Sequence, residues 1–373
     1  MGVHGFTKMV TPEGVTLKDL TNQIFAVDGS LELYRALLGM SSVKGLSAFG
    51  KTTLHVSVLL ANLIKYKIHK INTIWVFDYD PENLQNSECH NPLKLREREE
   101  RRKKREVAIE KIKKLKNELK NELKNEKDAQ PGDELFSDSD SDSDSDSNRN
   151  IKEPKTRATV SEKNIEIQKN EKIAFVLESW MVNDIKLMLN LLDIKWVEAP
   201  KGFEAECLAA RLTQSDIAEA DAVLSSDADA LLFGATTLIK KNLRTKQYDR
   251  FYLKDILEKK KLTQEQLIHV GIVLGTDMYK DKEKKLFYRI GPKTAIAKVK
   301  SGVLDNAFKD KDVKKAIDHF KEICSVDDLE WHNENEEAFS NKKKAHMLID
   351  WLVNTKSFNK ARITKQIAKV IKL

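Results

Sequence analysis

Apolar residues in this chain recur with two different periods. Short, almost unbroken runs stand at Ile24-Phe25-Ala26-Val27, Ile74-Trp75-Val76-Phe77, Ile194-Lys195-Trp196-Val197 and Ala222-Val223-Leu224. Runs of this length, rich in β-branched and aromatic residues, read as strands buried on both faces. Between them apolar residues return every three or four positions, as in helices. Residues 30–40 follow the first run as a helix. Residues 52–68 form a second, with Leu54, Val58, Ala61 and the stretch from Ile64 to Ile68 on one face. Residues 165–193 read as one amphipathic helix through Phe175, Val176, Trp180, Ile185, Met188, Leu189 and Leu192, and a further helix runs from Glu204 through Leu212. Strand, helix, strand with apolar strands predicts an α/β fold around a mostly parallel sheet.

The strands end alike. Asp28 closes the first run, Asp78 the second and Asp227 the last. Glu204 and Glu206 open a helix, Asp229 follows Asp227 by two, and Asp277 follows the apolar stretch ending Leu274-Gly275-Thr276. A single Asp after a strand is ordinarily a helix N-cap. Seven acids in five such settings, with few positive residues beside them, are costly without compensation. Divalent cations such as Mg²⁺, which favour oxygen ligands, provide it. That set predicts metal-dependent chemistry on phosphate esters.

Two other patterns bear on the nucleic-acid question. Residues 94–127 hold 15 Lys/Arg against 8 Asp/Glu in a helix-favouring run, and residues 342–373 hold 9 against 1. Basic regions in a phosphate-chemistry candidate point to a nucleic-acid partner, although for 94–127 a plain solvated helix is an equal reading. The basic tail carries its own apolar stripe (Leu348, Ile349, Leu352, Ile363, Ile367, Val370) and either clamps duplex or packs on the core. Residues 128–160 centre on the repeat from Ser137 to Ser147, lack the apolar content to fold, and are expected to be disordered. From Thr263 to Gly275 a helix with a Thr263/Gln266 capping box is expected. The turn Ile290-Gly291-Pro292-Lys293 then starts a new helix, a compact way to aim backbone N–H groups at phosphate. Cys89, Cys207 and Cys324 stand far apart in sequence and imply no disulfide framework. Cys89-His90 lacks a partner pair for zinc. The chain shows no signal peptide and no membrane span, so a soluble, non-secreted protein is expected.

In order and spacing these motifs resemble the flap endonuclease/XPG family of structure-specific 5′ nucleases. The resemblance rests on Met1-Gly2-Val3-His4-Gly5-Phe6, Ala26-Val27-Asp28-Gly29-Ser30 with Tyr34, Trp75-Val76-Phe77-Asp78, Gly202-Phe203-Glu204-Ala205-Glu206-Cys207, Ser226-Asp227-Ala228-Asp229, Leu274-Gly275-Thr276-Asp277 and Ile290-Gly291-Pro292-Lys293. It covers about residues 1–110 and 170–300. It implies a PIN-like nuclease core with a mostly parallel twisted sheet, a helical arch and a helix-hairpin-type DNA-binding motif. Residues 1–105 and 165–300 would form the nuclease regions, 106–164 the arch extension with the acidic insertion, and 301–373 a basic helical C-terminal region. Two Mg²⁺ ions, with Mn²⁺ able to substitute, would sit among the seven acids: Asp28, Asp78, Glu204 and Glu206 on one side, Asp227, Asp229 and Asp277 on the other. The implied reaction is in-line attack of activated water on a DNA phosphodiester. Lys94 and Arg101, two helical turns apart, would steady the scissile phosphate. Tyr34 would stack on a base, although a buried helix tyrosine is an equal reading. Gly2, Thr53, Gly291 and Lys293 would meet the nucleic acid.

The sequence departs from the family pattern in places. The link from Asp78 to Pro92 and the loop 279–288 are longer, and the acidic repeat interrupts the arch. Arg289-Ile290-Gly291 replaces a Gly-Ile-Gly, and Thr52-Thr53 lacks preceding acids. No sliding-clamp motif closes the chain. A monomer working on branched or flapped duplex DNA in the nucleus, or wherever DNA is replicated, is expected. A 5′ exonuclease or junction resolvase of the same family, an RNA substrate and a non-catalytic relative that binds nucleic acid are the competing readings.

Overall fold

The computed structural model describes residues 9–39, 47–48, 51–78, 92–128, 155–242, 244–276, 278–279, 286–287 and 290–371. The strands are β1 (Glu13–Val15), β2 (Ile24–Asp28), β3 (Ser47–Ala48), β4 (Lys51–Thr52), β5 (Asn72–Phe77), β6 (Trp196–Glu198), β7 (Ala222–Leu224), β8 (Thr237–Lys241) and β9 (Tyr248–Tyr252). The helices are α1 (Gly29–Gly39), α2 (Leu54–Ile68), α3 (Pro92–Asp128), α4 (Lys155–Ala174), α5 (Ser179–Leu191), α6 (Ala205–Arg211), α7 (Asp229–Leu232), α8 (Leu253–Lys260), α9 (Gln264–Leu274), α10 (Pro292–Lys300), α11 (Asp305–Phe308), α12 (Lys311–Lys321), α13 (Lys342–Asn354) and α14 (Lys360–Ile367). They fall into two compact units, one of residues 1–97 and 177–373, the other of residues 98–176.

The larger unit is built on a seven-stranded sheet in the order β1-β9-β8-β7-β2-β5-β6. β6, β5, β2, β7 and β8 are mutually parallel; β9 and β1 close one edge antiparallel. The register pairs Val27 with Trp75 and with Leu224, so β2, β5 and β7 end nearly level. Strand alternation sends side chains to opposite faces. Ala26, Ile74, Val76, Val197 and Val223 pack with α6, α7 and α9 in one core, while α1 and α2 cover β5 on the other side. Edge strand β6 is capped by a single antiparallel bridge from Trp196 to His332, whose rings stack at 3.7 Å.

Three sequence expectations are corrected. The helix expected over 165–193 is two helices, α4 and α5. Glu178 between them is extended (φ −96°, ψ 147°), its carbonyl accepts from Met181 N–H and its carboxylate from the Trp180 indole. The break falls where the two compact units part, so a polar helix and an apolar one do different packing. Second, helix begins at Lys155, inside the stretch expected to be disordered; residues 129–154, with the Ser-Asp repeat, lie outside the described residues. Third, the expected apolar stripe of α2 is too narrow and partly misplaced: Ala61 and Ile68 are exposed, whereas His55, Val56, Leu59, Leu60, Leu63 and Tyr66 are buried. α2 packs against α1, α5 and β5 at once, so burial wraps around more of its surface than one stripe.

The smaller unit holds most of α3 together with α4. Ala108, Leu115 and Ile167 form its thin apolar seam. Ion pairs Lys111–Glu166 (2.5 Å), Lys116–Glu171 (2.9 Å) and Lys163–Glu122 (2.6 Å) link the two helices. In the larger unit the basic tail packs through its apolar face: Leu348, Ile349, Leu352, Ile363 and Ile367 are buried, while Lys342, Lys343, Arg362, Lys365 and Lys369 remain exposed.

Candidate metal centre

Adjacent parallel strands carry their C-terminal residues to one edge, where ligands bind in open α/β sheets. Asp28 is the last residue of β2, and Asp78 is the first after β5. Asp227 follows β7 closely, and Asp229 is the first residue of α7. Glu204 is the N-cap of α6 and Glu206 lies in its first turn. Hydrogen bonds fix the acids to backbone. Asp28 Oδ1 accepts from Leu31 N–H at 2.9 Å, so it caps α1 as well as facing the other acids. Asp78 Oδ1 accepts from Ala205 N–H at 2.9 Å and holds the start of α6 against β5. Asp227 Oδ1 accepts from Asp229 N–H at 3.1 Å, and Asp227 N–H is received by the Ser225 hydroxyl at 3.0 Å.

The electrostatics tie these residues into one cluster. Burial first, then the charge of Asp78, pushes the Asp28 carboxyl well above its ordinary range, with Glu204 and Glu32 adding to it. Burial also pushes Glu206 well up, followed by Asp227, Asp229, Asp28 and Glu204. Glu206 Oε1 is fully buried and has no hydrogen-bond partner. Among the described residues no three His, Cys, Asp or Glu side chains are already gathered into a metal cage. The donor set fits a hard divalent cation: carboxylate oxygens only, buried and mutually destabilising, one of them an orphan.

Two sheet features shape the edge. A Cβ on Gly29 would lie 2.6 Å from the Phe77 ring, so only glycine lets α1 start directly after Asp28. On α5, Lys186 pairs with Glu198 of β6 and sits 5.3 Å over the Phe77 ring and 5.1 Å over that of Trp196. Neither Lys186 nor Glu32 is marked by the sequence. Glu32 lies one turn past Asp28 and is paired with Arg35 at 2.5 Å.

The remaining expected residues fall as follows. Tyr34 is half-buried on α1. Thr53, expected at the nucleic-acid surface, is the N-cap of α2, is 1% exposed, and has a buried hydroxyl without a partner. Its hydroxyl is therefore turned away from solvent in this conformation. Arg101 is exposed on α3, and Lys94 lies in the first turn of the same helix. Gly291 is the N-cap of α10 with Pro292 after it, and Lys293 is exposed there. The Thr263/Gln266 capping box on α9 is formed. Gly2, Asp277 and Cys89 lie outside the described residues. Cys207 and Cys324, distant in sequence, are buried in the same core, with Cys207 Sγ 4.0 Å from the Glu322 carbonyl.

Family models for the XPG N-terminal domain and the XPG I-region match residues 1–106 and 193–277, together just over half of the chain. The chain belongs to the flap endonuclease/XPG family. Membership makes it a phosphodiester-cleaving nuclease, a hydrolase. Among curated relatives of this family, the Flap endonuclease 1 of Plasmodium chabaudi chabaudi is 27% identical, with 100% of this chain and 72% of the relative covered. That of Staphylothermus marinus is 28% identical, with 100% and 95% covered. Among solved structures, flap endonuclease-1 from Methanococcus jannaschii superposes with a TM-score of 0.67 at 21% identity, over 100% of this chain and 98% of the other. The catalytic core of Rad2 in complex with DNA substrate gives 0.55 at 17% identity, over 99% and 100%. These superpositions bear out the α/β nuclease-core fold with its mostly parallel sheet.

Proposed function

We propose that this nuclease cleaves 5′ flaps or related branched duplex DNA, with Mg²⁺ as its ion, during replication and repair. One observation carries the reading: six carboxylates from β2, β5, α6 and the β7–α7 turn converge at one sheet edge, with Asp28 and Glu206 burdened by their neighbours' charge. Asp28, Asp78, Glu204 and Glu206 would hold one side of the ion pair, and Asp227, Asp229 and Asp277 the other. When bound, divalent ions lower the pKa of water and neutralise charge on the phosphate.

The chain's own residues do the rest. The backbone bonds from Leu31, Ala205 and Asp229 fix carboxylate direction before any ion arrives. Lys94 and Arg101 would steady the scissile phosphate and Tyr34 would support a base; Gly2, expected to meet the nucleic acid, lies outside the described residues. Gly291 and Lys293 at the α10 N-terminus grip duplex phosphate. Thr53, buried at the N-cap of α2, stands apart from that surface. The protein works as a monomer on branched or flapped duplex DNA, with RNA as the alternative substrate the assay below tests, in the nucleus or another DNA-replicating compartment. Among the described residues no helix is long and apolar enough to cross a membrane.

The test is cleavage of a labelled 5′-flap duplex with Mg²⁺ beside nicked, blunt, single-stranded and RNA substrates, with the Asp227→Ala protein as control. A cut at the flap junction that disappears with EDTA or with Asp227→Ala is expected. Degradation of nicked or blunt ends without flap preference would assign a 5′ exonuclease instead. No cleavage of any substrate with Mg²⁺ or Mn²⁺ would overturn the reading.

A further inference from the structure

We propose, resting on the metal-centre reading above, that Lys186 is a positioning residue: clasped by Glu198, it holds the Phe77 ring in place and so sets the spacing between Asp28 and Asp78. A lysine is unexpected at this point of α5. Its neighbours Ile185, Met188 and Leu189 are fully buried, and its own side chain is only 14% exposed. An apolar residue would pack on the two rings beneath it without the cost of taking a charge out of water. The ammonium instead lies 5.3 Å from the centre of the Phe77 ring and 5.1 Å from that of Trp196, within cation–π range of both, and pairs with Glu198.

Strand register relates this cation to the acids. Phe77 stands directly opposite Glu198 across the β5–β6 ladder, and Ala199 N–H donates to the Phe77 carbonyl at 2.8 Å. Side chains alternate along a strand, and directly opposite residues share a face. Ile74, Val76 and Val197 take the face toward α6, so Phe77, Trp196 and Glu198 take the other. Asp78, next in the chain, turns back toward α6, where it accepts from Ala205 N–H. Lys186 therefore sits across the sheet from the acid cluster and acts through Phe77. That ring reaches two strand ends. Its chain continues into Asp78, and its edge packs so closely on Gly29, the residue after Asp28, that a Cβ there would lie 2.6 Å away. Trp196 meets it edge-on at 5.9 Å. A ring wedged between Gly29, Trp196 and a tethered ammonium has little room to rock, and it steadies the two strand ends that carry ligands. Metal sites need such support, because their ligands must be held to within about 0.5 Å.

The experiment compares the full-length parent with Lys186→Met, Lys186→Arg and Glu198→Gln. Mn²⁺ affinity is measured by electron paramagnetic resonance, and flap cleavage is followed against Mg²⁺ and against DNA concentration. Lys186→Met keeps an apolar stem and removes the charge. It should weaken Mn²⁺ binding about tenfold, the scale of loss when groups behind metal ligands are changed. It should also raise the Mg²⁺ needed for half-maximal cleavage while KM for DNA stays unchanged. Lys186→Arg keeps the charge and stacks on rings, so it should restore most of the affinity; Glu198→Gln should fall between. Parental Mn²⁺ affinity in folded Lys186→Met, with only a lower melting temperature, would overturn the positioning role. A raised KM for DNA at unchanged Mn²⁺ affinity would overturn it too, in favour of direct contact with substrate. The clasp itself is read without metal. In protein labelled with 3-fluorophenylalanine, the Phe77 fluorine resonance, assigned with Phe77→Leu, should move in Lys186→Met and return in Lys186→Arg. An unmoved resonance would overturn the clasp. A parent that binds no Mn²⁺ while the resonance moves would overturn the metal centre and not the clasp.

Discussion

Asp28 shows how one residue serves two purposes here. Its carboxylate caps α1 through Leu31 N–H, the ordinary role of an Asp after a strand, and it also faces Asp78 and Glu204. The capping reading and the metal reading compete in the sequence; in the fold the cap forms and the same carboxylate still faces other acids. Asn at this position keeps a capping oxygen and removes the charge. Asp28→Asn should therefore abolish Mg²⁺-dependent cleavage yet raise the stability of the metal-free protein by on the order of 1–3 kcal/mol, the scale of a poorly compensated buried charge. Urea titration beside a cleavage assay checks it; a destabilised, inactive variant would point to loss of the cap instead. The next residue gives the opposite case. Gly29→Ala drives a methyl into the fully buried Phe77 ring at 2.6 Å, which has no room to yield. Overpacking of this kind costs about 1–3 kcal/mol, and since Phe77 precedes Asp78, activity should fall with stability.

Elements answer differently to sequence reading according to what fixes their ends. α9 is legible because its start is local: Thr263 accepts from Gln266 N–H at 3.1 Å and Thr263 N–H donates to the Gln266 side chain at 3.0 Å. Thr263→Ala should cost about 1 kcal/mol without changing the flap preference of any cleavage that remains, as a melting curve and a substrate panel would show. α6 is the reverse. Its first N–H, that of Ala205, is met by Asp78 just past β5, a partner 127 residues away that no local pattern reveals. The same holds for the N-terminus of α2, where buried His55 bonds Asp184 at 3.0 Å and Asp184 in turn bonds Lys356 at 2.5 Å. That arrangement joins three segments and was invisible beforehand, because each residue alone looks like a surface polar group. The α4–α5 break was missed for a related reason. Apolar residues continue through Phe175 and Val176 at helical spacing, and the helix is interrupted by extended Glu178, whose carbonyl accepts from Met181 N–H.

At the scale of the molecule, a cluster of like charges has a cost that depends on pH. Asp28 and Glu206 titrate above the ordinary carboxylate range when folded. A group shifted upward contributes stability that is present below its unfolded pKa and is lost as pH rises through the folded value. Other acids run the opposite way. Hydrogen bonds from His55 and Lys356 outweigh burial and lower the Asp184 carboxyl, so its contribution is lost as pH falls. A protein carrying both Asp28→Asn and Glu206→Gln isolates the first pair. Its melting temperature, measured without metal, should gain on the parent progressively from pH 5 to pH 8. Mg²⁺ should erase that gap by stabilising the parent alone, and more strongly at the higher pH. A gap independent of pH would show that these two acids are not the ones bearing the charge.

What the sequence determined by itself was whatever is written in local order: the apolar runs that become β2, β5 and β7, the acids at their ends, the capping box of α9, and Pro292 at the start of α10. Strand period and capping chemistry act over a few residues, so a few residues suffice to read them. The family pattern added which acids belong together. Only the tertiary structure decided how they meet. Parallel register brings the ends of β2, β5 and β7, with Asp28, Asp78 and Asp227 at or just past them, to one sheet edge, burial raises two carboxyls, and packing places Thr53, Cys207 and Cys324 inside. Those outcomes depend on distance through space and on exclusion of water, and a linear order of residues carries neither.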